Sequence, residues 1–254
     1  MDNHDMLQGH VWKPFAQFGL HDAFWTVQAD TVSSTFFILL LITITSILVN
    51  RCLHKESSLI RYVALQYVYG FKDLVEQTLK SAPVNHLSFI LSLFTFILLC
   101  NTIQIFPWFE EPTKDLNTTL ALGLISFFYV QFYSLKVNGL KAYLAELVEP
   151  FFIMLPLHIV GKVTSVISLS FRLFGNIFGG FIISSLYGKV VASSIVLQTF
   201  ALISGINLGM LFVFGIFEGL IQAFVFAMLT LTYLSMEIVH EEEQEDASHT
   251  KVES

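Results

Sequence analysis

The stretch SLSFRLFGNIFGG, residues 168–180, decides the fold of this chain because it places one arginine inside a long apolar run. The run extends from Leu155 to Tyr187, and Arg172 is its only arginine. A cation at bilayer depth costs roughly 2.5–3.5 kcal/mol on insertion scales. Arginine keeps its proton in proteins and cannot avoid that cost by becoming neutral. Arg172 therefore indicates either a permanent positive barrier on an ion pathway or a packing seam whose arginine is satisfied by a buried acid.

Small and polar side chains share one stripe of this helix on a 3.6-residue period. Small residues let another helix approach closely, and hydroxyl and amide groups solvate water or protons. We expect the stripe to lie against a partner rather than against lipid. Its members are Gly161, Ser165, Ser168, Arg172, Asn176 and Gly179.

The composition is typical of a polytopic membrane protein. Of 254 residues, 54% are hydrophobic and only 13% are charged, so the expected solvent of the fold is a lipid bilayer. The net charge of −7 makes nucleic acid an unlikely partner class. We predict one all-α membrane domain over residues 1–254.

Hydropathy predicts about five crossings and one surface helix. The predicted crossings are 32–49, 86–106, 118–135, 155–187 and 194–233, and the amphipathic helix is 58–80. A perpendicular crossing needs about 20 residues, so the last two runs are too long to stand upright and are predicted to pack as a long, tilted hairpin. This divides the domain into an external segment 1–31, a region 32–135 containing the first span, the surface helix and a helical hairpin, channel helices 150–240 and an acidic tail 241–254.

Lysine and arginine near the spans predict the orientation. Eight of them fall on one side and three on the other, which places the N-terminus outside and the C-terminal tail in the cytoplasm. The larger group is Arg51, Lys55, Arg61, Lys72, Lys80, Lys136, Lys141 and Lys162, and the smaller is Lys13, Lys114 and Lys189. The absence of a transit peptide favours a bacterial inner membrane over an organelle.

The last apolar run carries an acid on its own polar stripe. Glu218 and Gln222 are i, i+4 neighbours on the face that also holds Asn207 and Gly215. An acid at that depth is either a titrating proton relay or a structural partner of Arg172.

Three further polar residues in the spans are candidates for a pathway. Asn101 and Gln104, at i, i+3 in the second crossing, are interhelical hydrogen-bond donors or channel residues. His158 lies one turn from Lys162 near the inner end of the Arg172 helix, where a basic side chain is either a snorkelling anchor or a relay. Neither a catalytic motif nor a paired metal-ligand motif is present, so no enzymatic role and no cofactor is predicted.

Two motifs resemble those of one family. Residues 168–180, together with GLIQAFVFAMLT at 219–230 and YLS at 233–235, are similar to subunit a, the stator channel subunit of rotary proton-translocating ATP synthases. The resemblance implies that Arg172 is the essential arginine, with Asn176 one turn on, Gln222 on the last helix and Asn101 in the second crossing. It also implies partners: a ring of c subunits, the b-subunit peripheral stalk and the other ATP synthase subunits.

The chain departs from the family pattern at the outer channel. Many members carry an acid nine residues after the arginine and a histidine or acid seven before the glutamine, where this chain has Phe181 and Gly215. Gln104 likewise stands where aspartate is common. Glu218 is the expected replacement for these missing ionisable groups. His158 stands near the position at which some relatives carry a glutamate that lines the inner channel.

The mechanism that the resemblance implies has two proton half-channels separated by Arg172. Two other functional classes make different predictions. A transporter or ion channel acting alone would use Arg172 to recognise an anion, but it predicts an internal repeat or a second broken helix, neither of which is evident. An intramembrane enzyme would require His158 and Glu218 to meet.

Overall fold

The computed structural model describes residues 11–12, 27–53, 59–80, 83–105, 109, 111–148 and 151–252. Most of the predicted external segment 1–31 therefore lies outside the described residues. Within it the chain forms one short antiparallel ladder, in which Val11 lies opposite Gln28 and Trp12 opposite Val27. The acidic tail continues helically to Val252, and only its backbone is described.

Helices dominate the described chain. In order they are α1 Ala29–Leu53, α2 Leu59–Leu79, α3 Val84–Thr102, α4 Leu116–Val148, α5 Leu155–Ala192, α6 Ile195–Ile203, α7 Ile206–Met210, a π-helical segment Leu211–Phe217 and α8 Glu218–Val252. Short 3₁₀ turns occupy Ile103–Ile105, Pro112–Lys114 and Phe152–Met154. Within α4, Gly139 has a φ of 72° and a ψ of 158°, which kinks the helix.

Five helical stretches are long and apolar enough to cross a membrane, which confirms the predicted all-α polytopic class. They are Asp30–Cys52, Val84–Ile105, Leu116–Val137, Leu155–Ala192 and Ile206–Glu237. Helix α2 is not among them. It buries Phe71 and Val75 in the protein core and exposes most of its other side chains. Its position on the membrane surface remains a prediction.

The prediction of one long helix over 194–233 is wrong. Gly205 has a left-handed φ of 71° and separates α6 from α7, and the helix then widens to π geometry before α8 begins at Glu218. A residue without a Cβ adopts this φ without strain, which is why the break falls at a glycine. The other late helix does form one piece of 38 residues, ending at Ala192 rather than at the predicted Tyr187.

Close packing of α3, α5 and α8 forms the centre of the molecule. Ile90, Ile97, Leu173 and Phe226 are fully buried in one hydrophobic cluster shared by these helices. Helices α3 and α8 approach closely at Gly219, where an added Cβ would lie 2.9 Å from the Cβ of Asn101. Small residues permit such approaches between apolar helices. The packing holds α5 beside α8 as a hairpin and brings Asn176 of α5 to Gln222 of α8.

Candidate functional site

One face of α5 is exposed and carries Arg172. On the opposite face, Leu169, Leu173 and Ile177 are buried in the core. Ser168, Arg172 and Asn176 are exposed. Among the residues that the structure describes, Arg172 makes no ion pair, so the alternative in which Glu218 pairs with it is not observed. A Cβ added at any of three glycines near this face would meet no atom within 4 Å; they are Gly161, Gly175 and Gly179. We call this exposed surface the Arg172 face.

An amide pair joins α5 to α8 one turn from Arg172. Asn176 donates its Nδ2 to Oε1 of Gln222 at 2.7 Å. Gln222 is 2% exposed, and its Nε2 is buried without a hydrogen-bond partner in the described chain. Buried amide donors are nearly always satisfied in folded proteins, often by water. The pair therefore offers an unsatisfied donor next to the arginine.

Glu218 lies against the glycine pair that ends the α5 motif. A Cβ built on Gly180 would be 3.0 Å from Oε2 of Glu218 and 3.2 Å from Cδ1 of Phe214. The missing side chain of Gly180 makes room for the carboxylate at the start of α8. The sequence analysis included this glycine in the motif 168–180 but assigned it no role.

Asn101 and Gln104 connect α3 to the start of α8. Asn101 donates Nδ2 to the carbonyl of Gly219 at 3.2 Å and accepts a hydrogen bond from Oγ1 of Thr113 at 2.7 Å. Gln104 donates Nε2 to the carbonyl of Phe214 at 3.2 Å. Asn101 is completely buried. Both amides therefore hold helices together, and they do so next to Glu218.

A cavity of about 180 Å³ lies beside this network. We call it the Glu111 cavity, and it is lined in part by Gln104, Glu111, Lys114 and Phe181. The Lys114 Nζ lies 3.5 Å from the centre of the Phe181 ring. The Phe181 ring thus receives a cation on its face.

Glu111 is a candidate that the sequence analysis missed. Burial raises the pKa of its carboxyl to about 8; the Lys114 charge lowers that pKa and the Glu218 charge raises it. A carboxyl with a pKa near neutrality exchanges protons readily at physiological pH. In the sequence Glu111 is one of several charges in an acidic turn, and only the fold shows that it is partly buried near Glu218.

A second cavity, of about 300 Å³, lies at the other end of α5. We call it the Lys162 cavity, and its polar lining is Ser126, Gln131, His158, Lys162, Ser165, Thr230, Tyr233 and Glu237. Lys162 pairs with Glu237 at 3.0 Å instead of extending towards lipid headgroups. The alternative of a snorkelling anchor is therefore not what the structure shows for Lys162. His158 contributes to this lining, as the sequence suggested.

Arg172 lies between the two cavities along α5. Leu169 lines the Lys162 cavity and Ile177 lines the Glu111 cavity, a separation of about 12 Å of helical rise with Arg172 between them. His158 and Glu218 belong to opposite ends of this arrangement. An intramembrane enzyme that uses both residues together finds no support in this geometry.

Comparisons with known proteins show the family of this chain. A family model described as ATP synthase A chain matches residues 31–235. ATP synthase subunit a 2 of Acaryochloris marina is 31% identical over 207 residues, covering 81% of this chain and 83% of the relative. ATP synthase subunit a of Moorella thermoacetica is 31% identical over 206 residues, covering 81% and 89%. The corresponding subunit of Desulforamulus reducens is 26% identical over 253 residues, covering 94% of each chain. The chain therefore belongs to the ATP synthase A chain family, and its place is in the membrane sector of the F-type enzyme as a stator subunit.

Proposed function

We propose that this chain supplies two proton half-channels to a ring of c subunits and that Arg172 separates them. The observation that carries the proposal is the position of Arg172 on α5 between the Glu111 cavity and the Lys162 cavity. A proton that enters one cavity cannot continue along α5 to the other without passing the guanidinium. It must travel on a carboxyl group of the partner ring.

The outer half-channel begins at the Glu111 cavity in this proposal. Protons pass Gln104, reach Glu218 beside Gly180 and continue towards the Asn176 and Gln222 pair. The unsatisfied Nε2 of Gln222 supports a water molecule at the end of the route. Asn101 fixes the position of α8 by its bond to Gly219.

Arg172 acts by its charge rather than by proton transfer. Its side chain is exposed on the Arg172 face and unpaired within the described chain, so an unprotonated carboxylate on a neighbouring ring is its natural counter-charge. Because arginine does not release its proton, it also opposes a direct leak between the cavities. Each charge that crosses the membrane contributes about 2.3 kcal/mol per 100 mV, so several protons are needed for each ATP.

The inner half-channel is the Lys162 cavity. Ser168 is one turn from Arg172, and Ser165 and His158 follow towards the Leu155 end of α5. Their hydroxyl and imidazole groups provide hydrogen-bonding partners for a chain of water molecules. A proton released from the ring leaves by this route.

The count of basic residues near the spans supports the orientation. We place the N-terminus outside, the C-terminal tail in the cytoplasm and the chain in a bacterial inner membrane. The Glu111 cavity then faces the outside and the Lys162 cavity the cytoplasm. The subunit is non-catalytic in itself, and it works with the c ring, the b-subunit stalk and the other ATP synthase subunits.

ATP-driven proton pumping in inverted membrane vesicles that carry the intact complex tests the proposal. Arg172→Ala is expected to abolish coupled pumping, and Glu218→Gln is expected to slow it at least about tenfold. Lys189→Ala, which removes an exposed cation from the far end of α5, is the matched control and should pump normally. Normal pumping by Arg172→Ala would overturn the barrier, and normal pumping by Glu218→Gln would remove Glu218 from the route.

A further inference from the structure

We infer that Glu237 exchanges protons between the Lys162 cavity and the cytoplasmic water, and that Lys162 holds its carboxylate at the mouth of that cavity. The inference rests on the proposed function, in which this cavity is the inner half-channel. Neither residue belongs to the two motifs that indicate the family. Glu237 follows the second motif by two residues, and Lys162 precedes Arg172 by ten.

The pair ties α5 to α8 at the end of the cavity. Lys162 Nζ lies 3.0 Å from Oε1 of Glu237, and the two side chains are 21% and 15% exposed. Ser134 donates its hydroxyl to the other carboxylate oxygen at 2.8 Å. Both oxygens of Glu237 are therefore engaged, while the side chain is not fully enclosed by the protein.

Gln131 completes the cluster from α4. Its Oε1 accepts hydrogen bonds from Lys162 Nζ at 2.9 Å and from the Tyr143 hydroxyl at 2.6 Å, and its Nε2 is 3.5 Å from Oε1 of Glu237. The kink at Gly139 lies between Gln131 and Tyr143, so α4 provides both residues. These contacts fix the carboxylate from three sides.

The cavity behind the pair has the properties of a hydrated space. Its volume of about 300 Å³ has room for several water molecules. Ser126 lines it, is 2% exposed, and has a hydroxyl oxygen without a hydrogen-bond partner in the described chain. A buried hydroxyl left unpaired costs about 1–3 kcal/mol, which water in the cavity would recover. Water therefore connects the deeper part of the cavity with Glu237.

Charge explains why an acid is needed at this point. Lys162 alone would repel an excess proton in the cavity, as Arg172 does about 15 Å further along α5. Glu237 cancels that charge, and it is the only acid among the described residues that line the cavity. The other titratable groups facing it from the described helices are Tyr143 of α4, His158 of α5 and Tyr233 of α8. A hydronium ion in the cavity transfers its proton to the Glu237 carboxylate, and the resulting acid releases it to cytoplasmic water.

The test uses intact complexes in inverted vesicles, where the cytoplasmic face contacts the bath and ATP-driven pumping takes protons from it. Glu237→Gln keeps the shape of the side chain and removes its titration. Glu237→Asp restores a titratable carboxyl group together with its negative charge. Glu76→Gln is the matched control, since Glu76 forms an ion pair with Lys72 at 3.3 Å on α2, away from both cavities. Pumping is normalised to the amount of assembled complex in the same vesicles.

We expect Glu237→Gln to lower the pumping per assembled complex at least about tenfold. Glu237→Asp should recover part of the loss, because it restores both the carboxylate that accepts the proton and the negative charge opposite Lys162. Wild-type pumping by assembled Glu237→Gln, or an equal loss of pumping in the two variants, would overturn the inference and leave the pair as a brace. If Glu237→Gln fails to assemble, the double variant Lys162→Gln with Glu237→Gln, which leaves neither charge unpaired, decides: loss of pumping supports the inference and wild-type pumping overturns it.

Failure of this inference differs from failure of the proposed function. Arg172→Ala in the same vesicles reports on the barrier alone. Loss of pumping in Arg172→Ala combined with normal pumping in Glu237→Gln keeps the two half-channels and rejects only the role of Glu237. Normal pumping in Arg172→Ala rejects the half-channels themselves.

Discussion

The close approach of α3 and α8 at Gly219 allows a quantitative test of the fold. In Gly219→Ala the new Cβ would lie 2.9 Å from the Cβ of Asn101, about 0.5 Å inside the 3.4 Å at which ordinary contact begins. The obstructing atom is attached directly to the α3 backbone, so no rotation of a side chain can relieve the clash. The two helices must separate locally.

Two destabilising effects and one stabilising effect determine the expected change in the free energy of unfolding. Overpacking a well-packed helix contact costs typically about 1–3 kcal/mol. Separation also weakens the hydrogen bond from Asn101 to the Gly219 carbonyl, which contributes about 0.5–1.5 kcal/mol. Alanine gains about 1 kcal/mol over glycine inside a helix. Gly219→Ala should therefore destabilise the subunit by about 0.5–3.5 kcal/mol.

The free energy of unfolding measured by SDS titration in mixed micelles checks this value. Gly188→Ala is the matched control, because a Cβ built there meets no atom within 4 Å and should leave stability unchanged or raise it by up to about 1 kcal/mol. Equal stability of the two variants would refute the close contact between α3 and α8.

Three further expectations concern the cavities and the exposed face. Burial raises the pKa of Glu111 to about 8, so the folded chain binds this proton more tightly than the unfolded chain. The contribution of Glu111 to stability is therefore greatest below the ordinary carboxyl pKa and is lost as the pH rises through about 8. Glu111→Gln should reduce the loss of stability between pH 5 and pH 9 in SDS titrations, and an unchanged loss would contradict the burial of this carboxyl. Gly180→Ala would place a Cβ 3.0 Å from Oε2 of Glu218 and should slow pumping in inverted vesicles by displacing that carboxylate, whereas normal pumping would show that the carboxylate has room to move. Gly179→Leu fills open space in this chain, so it should leave the stability of the isolated subunit unchanged and impair pumping only if the ring covers this face; normal pumping would argue against that cover.

Hydropathy and periodicity predicted the main architecture. Apolar runs located all five candidate spans because the cost of placing charged groups in lipid restricts them to loops and ends. The 3.6-residue period also predicted that Ser168, Arg172 and Asn176 share a face, and the structure shows that face exposed. Both features depend on local sequence alone.

The break near the end of the chain was not predictable in this way. The last run contains Gly205, Gly209, Gly215 and Gly219, and each permits a positive φ. Of these four glycines only Gly205 adopts one, while Gly215 lies against Gln104 and Gly219 against Asn101. Which glycine bends and which one packs depends on contacts with another helix, and the sequence of the run does not contain that information.

The missed site residues have a similar explanation. Glu111 lies in an acidic turn and Glu237 precedes an acidic tail, and both positions suggest solvated charges. Glu237 meets Lys162 across 75 positions of the chain, and Glu111 is partly buried in a cavity that it shares with Gln104 and Phe181. A residue's burial and its distant partner are properties of the tertiary fold.

The exposed Arg172 face also bears on how such a complex is made. A subunit that is inserted into the bilayer before its ring assembles carries a guanidinium group that the described part of its own chain does not neutralise. That state costs roughly 2.5–3.5 kcal/mol, a large fraction of the 5–15 kcal/mol that stabilises a typical protein. If the proposed function holds, a subunit that is not yet against its ring is therefore less stable than an assembled one, and completing the ring first would shorten the time spent in that state.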